Sequence, residues 1–137
     1  MISDREERAI ERAIHRVAGS NESYTVLPDG TWLEGGCGIF ARAIQKAVKS
    51  AYGVDAGLYA LRGGKQGLIQ HILVRIGDCY YDADGRSTER ELLDRWEYLE
   101  LVEDSRVEPL DSWPEGIIRR ERASRFIAKM LIERLLK

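Results

Sequence analysis

The sequence predicts an α+β domain in which helices flank a small antiparallel sheet. Three observations carry that prediction. Apolar residues recur at helical spacing near the start of the chain, again after Cys37, and again near its end. Short apolar segments between residues 55 and 82 read as two or three strands, one of them strictly alternating. Gly77-Asp78 separates two of these strands as a two-residue hairpin signal. A chain of 137 residues is one domain, 1–137, large enough for a single core.

Each element has a local reason. Ser3 and Asp4 are caps for a first helix over residues 4–18, with Ile10, Ala13, Ile14 and Val17 on one stripe. Gly19-Ser20-Asn21 ends it. Residues 20–36 form a long connection carrying Pro28, Asp29, Gly30 and Gly35-Gly36, and loops of that length often face ligands. A second helix runs from Cys37 to about Tyr52 on the stripe Phe40, Ala43, Ile44, Ala47, Val48 and Ala51, and Gly53 stops it. Residues 55–61 make a short strand, and Gly63-Gly64-Lys65-Gln66-Gly67 a flexible turn. Residues 69–76 make a strand with Ile72, Val74 and Ile76 on one face and His71, Leu73 and Arg75 on the other. Residues 79–82 return antiparallel. Ser87 or Thr88 caps a helix through about Trp96, with Glu91 at the capping-box distance from Thr88. Residues 99–103 suggest another strand, and residues 107–110 read as irregular. After Pro114 a last helix spans about 116–136 on the stripe Ile127, Met130, Leu131 and Leu135.

Composition narrows the function classes. Hydrophobic residues make up 44% and charged residues 32%, as in an ordinary soluble domain. A net charge of −2 gives no electrostatic case for nucleic acid. The one basic stretch, Arg119, Arg120, Arg122 and Arg125, reads as a solvated helix face. The polar N-terminus lacks the apolar core of a signal peptide, and no segment has the ~20 apolar residues of a membrane span. With two cysteines and no such signal, the expectation is a cytoplasmic chain with free thiols. CxxC and HxxxH pairs, the PCxxC run of zinc deaminases, GxGxxG and a phosphate loop are all missing from the sequence, so the reading contains no metal and no cofactor. His15, between Arg12 and Arg16 on the first helix, reads as exposed.

The chemistry centres on Cys37, His71 and an aspartate. A thiol at a helix N-terminus meets unpaired N–H groups and the positive end of the helix dipole, which favour thiolate. A tight Gly77-Asp78 turn pairs Ile76 with Cys79, Leu73 with Asp82 and His71 with Asp84. His71, Asp82 and Asp84 then share a sheet face, with opposed positions about 5 Å apart and diagonal ones about 7–8 Å, so either aspartate reaches the imidazole. Cys79 falls on the opposite face, beside Ile76, as core. Thiol attack needs an ionised nucleophile, a base within reach and a group that orients the base. Cys37 supplies the first, His71 the second, and Asp82 or Asp84 the third. The Cys37 amide is a natural oxyanion donor, and Gly35 and Gly36 leave the approach to it free of side chains. Trp32 or Asn21 is a candidate second donor.

Three runs carry a family resemblance: Gly36-Cys37-Gly38-Ile39-Phe40-Ala41, Gln70-His71-Ile72-Leu73-Val74 and Tyr80-Tyr81-Asp82-Ala83-Asp84-Gly85. In that order they resemble the papain-like cysteine peptidase superfamily in its broad sense. That superfamily takes in transglutaminase-like proteins, cell-wall amidases and papain-like toxin domains. The likeness covers residues 31–86. It implies a papain-like fold with Cys37 as nucleophile, His71 as general base and Asp82 as orienting acid. The sequence departs from the pattern in carrying Glu34 near the place where many members have a glutamine oxyanion donor. Neither Asn nor Trp flanks His71.

The function these features imply is a cytoplasmic or phage-encoded thiol hydrolase or acyl transferase. It would act on an amide, isopeptide or thioester carbonyl in a protein or peptide substrate. The alternative is a non-catalytic interaction module of the same fold, docking a partner or a second copy through the amphipathic C-terminal helix.

Overall fold

In the computed structural model, residues 2–27, 31–32 and 35–136 are described. They form five helices and one five-stranded sheet, so the α+β class holds. The first helix, α1, spans Asp4–Ala18. Its start is a capping box: the Glu6 amide donates to Ser3 Oγ at 3.2 Å, and the Ser3 amide donates to Glu6 Oε1 at 3.0 Å. A one-turn helix not foreseen, α2, covers Asn21–Tyr24 and is capped by Ser20. The helix that carries the thiol, α3, spans Cys37–Tyr52 and ends at Gly53, whose φ of 69° only glycine adopts without strain.

The strands are β1 (Gly57–Gly63), β2 (Leu68–Ile76), β3 (Cys79–Asp82), β4 (Gly85–Ser87) and β5 (Arg106–Pro109). They lie in the order β4-β3-β2-β1-β5, and each neighbouring pair is antiparallel. The expected hairpin register holds from Ile76 opposite Cys79 to Val74 opposite Tyr81, where the ladder ends short of the expected pairs Leu73–Asp82 and His71–Asp84. β1 begins two residues later than anticipated, and its ladder with β2 is irregular between Leu61 and Arg62. Leu61 faces His71 and Arg62 faces Ile69, so Gln70 is the extra residue of a bulge beside His71.

Between α4 (Glu89–Tyr98) and α5 (Glu121–Leu135) the structure corrects three expectations. Residues 99–103 are a turn, not a strand. The Val102 amide donates back to the Trp96 carbonyl at 2.9 Å, and Leu101 has a φ of 56°. The strand falls instead on Arg106–Pro109, where irregular chain was expected, because Val107 pairs opposite Leu61 and packs beside it. Its alternating charges and terminal proline suit a sheet edge. The last helix starts at Glu121, five residues later than expected, so Arg119 and Arg120 precede it, and only Arg122 and Arg125 lie on its exposed side.

The two faces of the sheet bury different helices. Ile72, Val74, Ile76 and Tyr81 face the main core with α1, α3 and α5. Leu61, Leu73 and Tyr80 face a smaller cluster closed by Leu92 and Trp96 of α4. The stripe of α5 is spent inside the chain: Ile127, Ala128 and Leu131 are buried, and buried Ser124 donates to the Ile39 carbonyl of α3 at 3.0 Å. Met130 and Leu135 of the same stripe are partly buried, and Phe126 is exposed. No helix among the described residues is long and apolar enough to cross a membrane.

Candidate active site

Cys37 is the first residue of α3, behind the N-cap Gly36. The two flanking glycines are required by packing. A Cβ on Gly36 would lie 2.5 Å from Trp32 Cε3, and one on Gly38 would lie 2.7 Å from Trp113 Cζ2. A tryptophan thus fills the space beside each glycine. Gly36 was expected to keep the approach to the Cys37 amide open; its vacant side is occupied by Trp32 and Leu27 instead. Trp32 also packs edge-on to Phe40, with centroids 5.2 Å apart.

His71 comes from β2, on the α4 side of the sheet. Its Nε2 lies 2.9 Å from Asp82 Oδ2, at the end of β3. Nδ1 has no hydrogen bond of regular geometry. The remaining neighbour that acts on the ring is the Cys37 thiol. The Ile72 and Gly38 amides also favour the charged form of the sulfur, and β3 pairs with β2 only from Val74 to Ile76. Cys37 is 4% exposed, His71 0% and Asp82 5%.

The electrostatics of the three groups are coupled. Burial pushes the Cys37 thiol up, but the neighbouring His71 ring, with the two amides, outweighs it and brings the thiol below its ordinary value. Burial alone would strip the His71 proton. The hydrogen bonds and charges of Asp82 and Cys37 raise the ring instead, to about 9. Asp82 is also pushed up by burial, and ends below the ordinary carboxylate value because His71, Arg95 and the Asp84 amide favour its charge. The arrangement favours a thiolate beside an imidazolium, with a carboxylate behind it.

Asp84, the other candidate acid, takes a different part. Its amide donates to Asp82 Oδ1 at 2.9 Å, fixing that carboxylate, while its own side chain is half-exposed and lies 3.5 Å from Arg95 Nη1. Two residues of α4 complete the site and were not singled out from the sequence. Arg95 Nη2 lies 3.2 Å from Asp82 Oδ2, and the Trp96 ring lies 5.1 Å from the His71 ring at 30°. The capping box at Thr88 fixed the start of α4 in the sequence. Nothing local told which strand its last turn would cover.

Of the suggested oxyanion donors, Trp32 is buried with no partner at Nε1, and Asn21 is exposed at the start of α2. Glu34, Pro28, Asp29 and Gly30 lie outside the described residues. His15 is exposed, as expected, and with Tyr24, Trp32, Ala83 and Asp84 it lines a groove of about 340 Å³. Cys79 is half-buried, not core, and opens into a larger cleft of about 980 Å³ with Glu7, Glu11 and Arg86. Both cysteines are free, and no group of three or more metal-ligating side chains occurs among the described residues. No protein-family model, no curated protein and no solved structure matches the chain.

Proposed function

We propose that the chain is a papain-like cysteine hydrolase or acyl transferase, acting on an amide, isopeptide or thioester carbonyl. One observation carries the reading: Asp82 holds a fully buried His71 at 2.9 Å, and the same ring lowers the pKa of a thiol at the first turn of a helix. A buried carboxylate–imidazole–thiol line is costly for a fold to maintain unless its charges serve a purpose.

The chemistry follows from the groups. The Cys37 thiolate attacks the carbonyl carbon and forms a carbon–sulfur bond. The oxyanion is stabilised by the Cys37 amide at the α3 N-terminus, with Trp32 Nε1 as second donor. His71 gives its proton to the departing amine or thiol, and Asp82 keeps the ring oriented for that transfer. Water or an amine, deprotonated by the now neutral ring, then releases the acyl group. The substrate is a protein or peptide, and the chain works in the cytoplasm.

Iodoacetamide labelling followed by peptide mass spectrometry across pH tests the reading. Cys37 is expected to label at neutral pH, well below the unperturbed thiol range near 8.5. Cys79 serves as an internal contrast, because burial and Glu7 raise its thiol. Labelling of Cys37 only near 8.5, with His71→Ala leaving the rate unchanged, sinks the enzyme. One observation favours the second reading, a non-catalytic interaction module of the same fold: the sulfur is almost closed off from solvent. That reading expects Cys37 to stay unlabelled in the folded protein at every pH.

A further inference from the structure

Asp82 Oδ2 has two donors. His71 Nε2 lies 2.9 Å from it and Arg95 Nη2 lies 3.2 Å from it. The guanidinium extends further, to Asp84 Oδ2 at 3.5 Å from Nη1, and the Asp84 amide in turn donates to Asp82 Oδ1. Arg95 therefore bridges the two aspartates of the Asp82-Ala83-Asp84 turn. The next residue, Trp96, lies against the imidazole. One turn of α4 grips the acid and the base together, from the sheet face opposite the helix that carries the thiol.

We propose that Arg95 is a positioning residue of the Cys37 site: it shares the Asp82 carboxylate with His71, keeps that carboxylate charged, and moderates its pull on the imidazole. The contact is not an ordinary surface pair, which would be worth about 0–1 kcal/mol. The Asp82 side chain is 6% exposed and that of Arg95 23%. A buried carboxylate facing an imidazole alone would hold the proton on the ring very firmly. A ring that never releases its proton cannot pass it to a leaving group. A guanidinium on the same oxygen offsets part of the carboxylate charge and opposes the imidazolium charge directly. The charged and titratable groups acting at this point are Cys37 from α3, Asp82 from β3, Asp84 from the following turn and Arg95 from α4. From β1 the residue opposite His71 is the apolar Leu61.

The use of this device in catalysis rests on the proposed Cys37 chemistry; the electrostatic coupling can be tested without it. The chain has two histidines, so the imidazole signals are separable by NMR, with exposed His15 as control. Arg95→Gln is expected to raise the His71 titration midpoint by roughly half a unit to one unit, and Arg95→Met serves if that variant does not fold. Arg95→Lys keeps the charge and is expected to stay within about 0.3 unit of the parent. A midpoint that stays put or falls in the neutral variant overturns the proposal. So does a lysine variant that rises as far as the glutamine one, since that would make shape, not charge, the cause. A parent His71 titrating near its ordinary value counts against the cysteine chemistry instead; the Arg95 proposal is then still decided by whether Arg95→Gln moves that midpoint.

Discussion

Replacing Asp82 by Asn removes one charge from a buried pair and keeps the shape of the side chain. The ring it faces is fully buried, and burial alone would lower its pKa; Asp82 and Cys37 together raise it from 6.5 to about 9. At about 1.4 kcal/mol per unit, that difference is on the order of 3 kcal/mol of preferential hold on the imidazolium in the folded state. The sign follows from which state binds the proton. The folded value lies above the unfolded one, so the contribution is complete below about pH 6.5, fades as pH rises toward 9, and is gone above it. Asp82 runs the other way. Its folded value is lowered, so its contribution is complete somewhat above the ordinary value of 3.8 and is lost as pH falls through the folded value. The pair is therefore worth most near pH 6. There Asp82→Asn should lose about 2–4 kcal/mol, since the buried imidazolium loses its carboxylate partner. At pH 10 the ring is neutral in both proteins, and the deficit should shrink to about 1 kcal/mol, the share of the Arg95 and Asp84 amide bonds. Guanidinium unfolding of parent and variant at the two pH values measures both numbers. An equal loss at pH 6 and pH 10 would show that no charged pair exists and would refute the reasoning.

Two further outcomes test the packing around the site. Gly38→Ala would put a Cβ 2.7 Å from the Trp113 ring and 3.0 Å from the Ile118 carbonyl, so the melting temperature should fall by the equivalent of about 1–3 kcal/mol; an unchanged value would mean that the tryptophan is not seated there. Leu101→Gly should stabilise the chain by up to about 1 kcal/mol, because Leu101 holds a φ of 56° with an 81% exposed side chain, and a loss in the same melt would show that the side chain anchors its turn.

The sequence declared what short-range physics decides. Ser3 announces one helix start as a cap, and Thr88 with Glu91 announces another by capping-box spacing; both caps form, the first also as a box with Glu6. Gly77-Asp78 sets the β2–β3 register, and from that register His71 and Asp82 had to share a face. The choice between Asp82 and Asp84 was not legible, because the pairing with β2 ends at Tyr81, and after Asp82 the next two residues turn toward β4. The strand error at residues 99–103 has a similar origin. Leu99, Leu101 and Val102 look like strand residues, but the chain leaving α4 must reverse direction, and only Val102 turns inward, against Gly63. Alternation cannot register a reversal imposed by a neighbouring hairpin.

The α4 contacts to the site are the part that no local pattern could supply, and they bear on what holds the site together. Leu92 and Trp96 mark a buried stripe by their spacing, yet a stripe does not say which sheet face it covers. That face was decided by elimination: α1, α3 and α5 occupy the side of Ile72, Val74 and Ile76, and leave α4 the side of Leu73 and His71. The thiol belongs to the core on the first side, while the acid, the ring and their arginine and tryptophan neighbours sit on the second. The sheet between them has to stay in register for sulfur and imidazole to meet. A slip of one residue between β2 and β3 would turn Asp82 to the other face and part it from His71, without necessarily unfolding either core. The distance from His71 to Asp82 therefore tests the pairing of the whole β2–β3 hairpin.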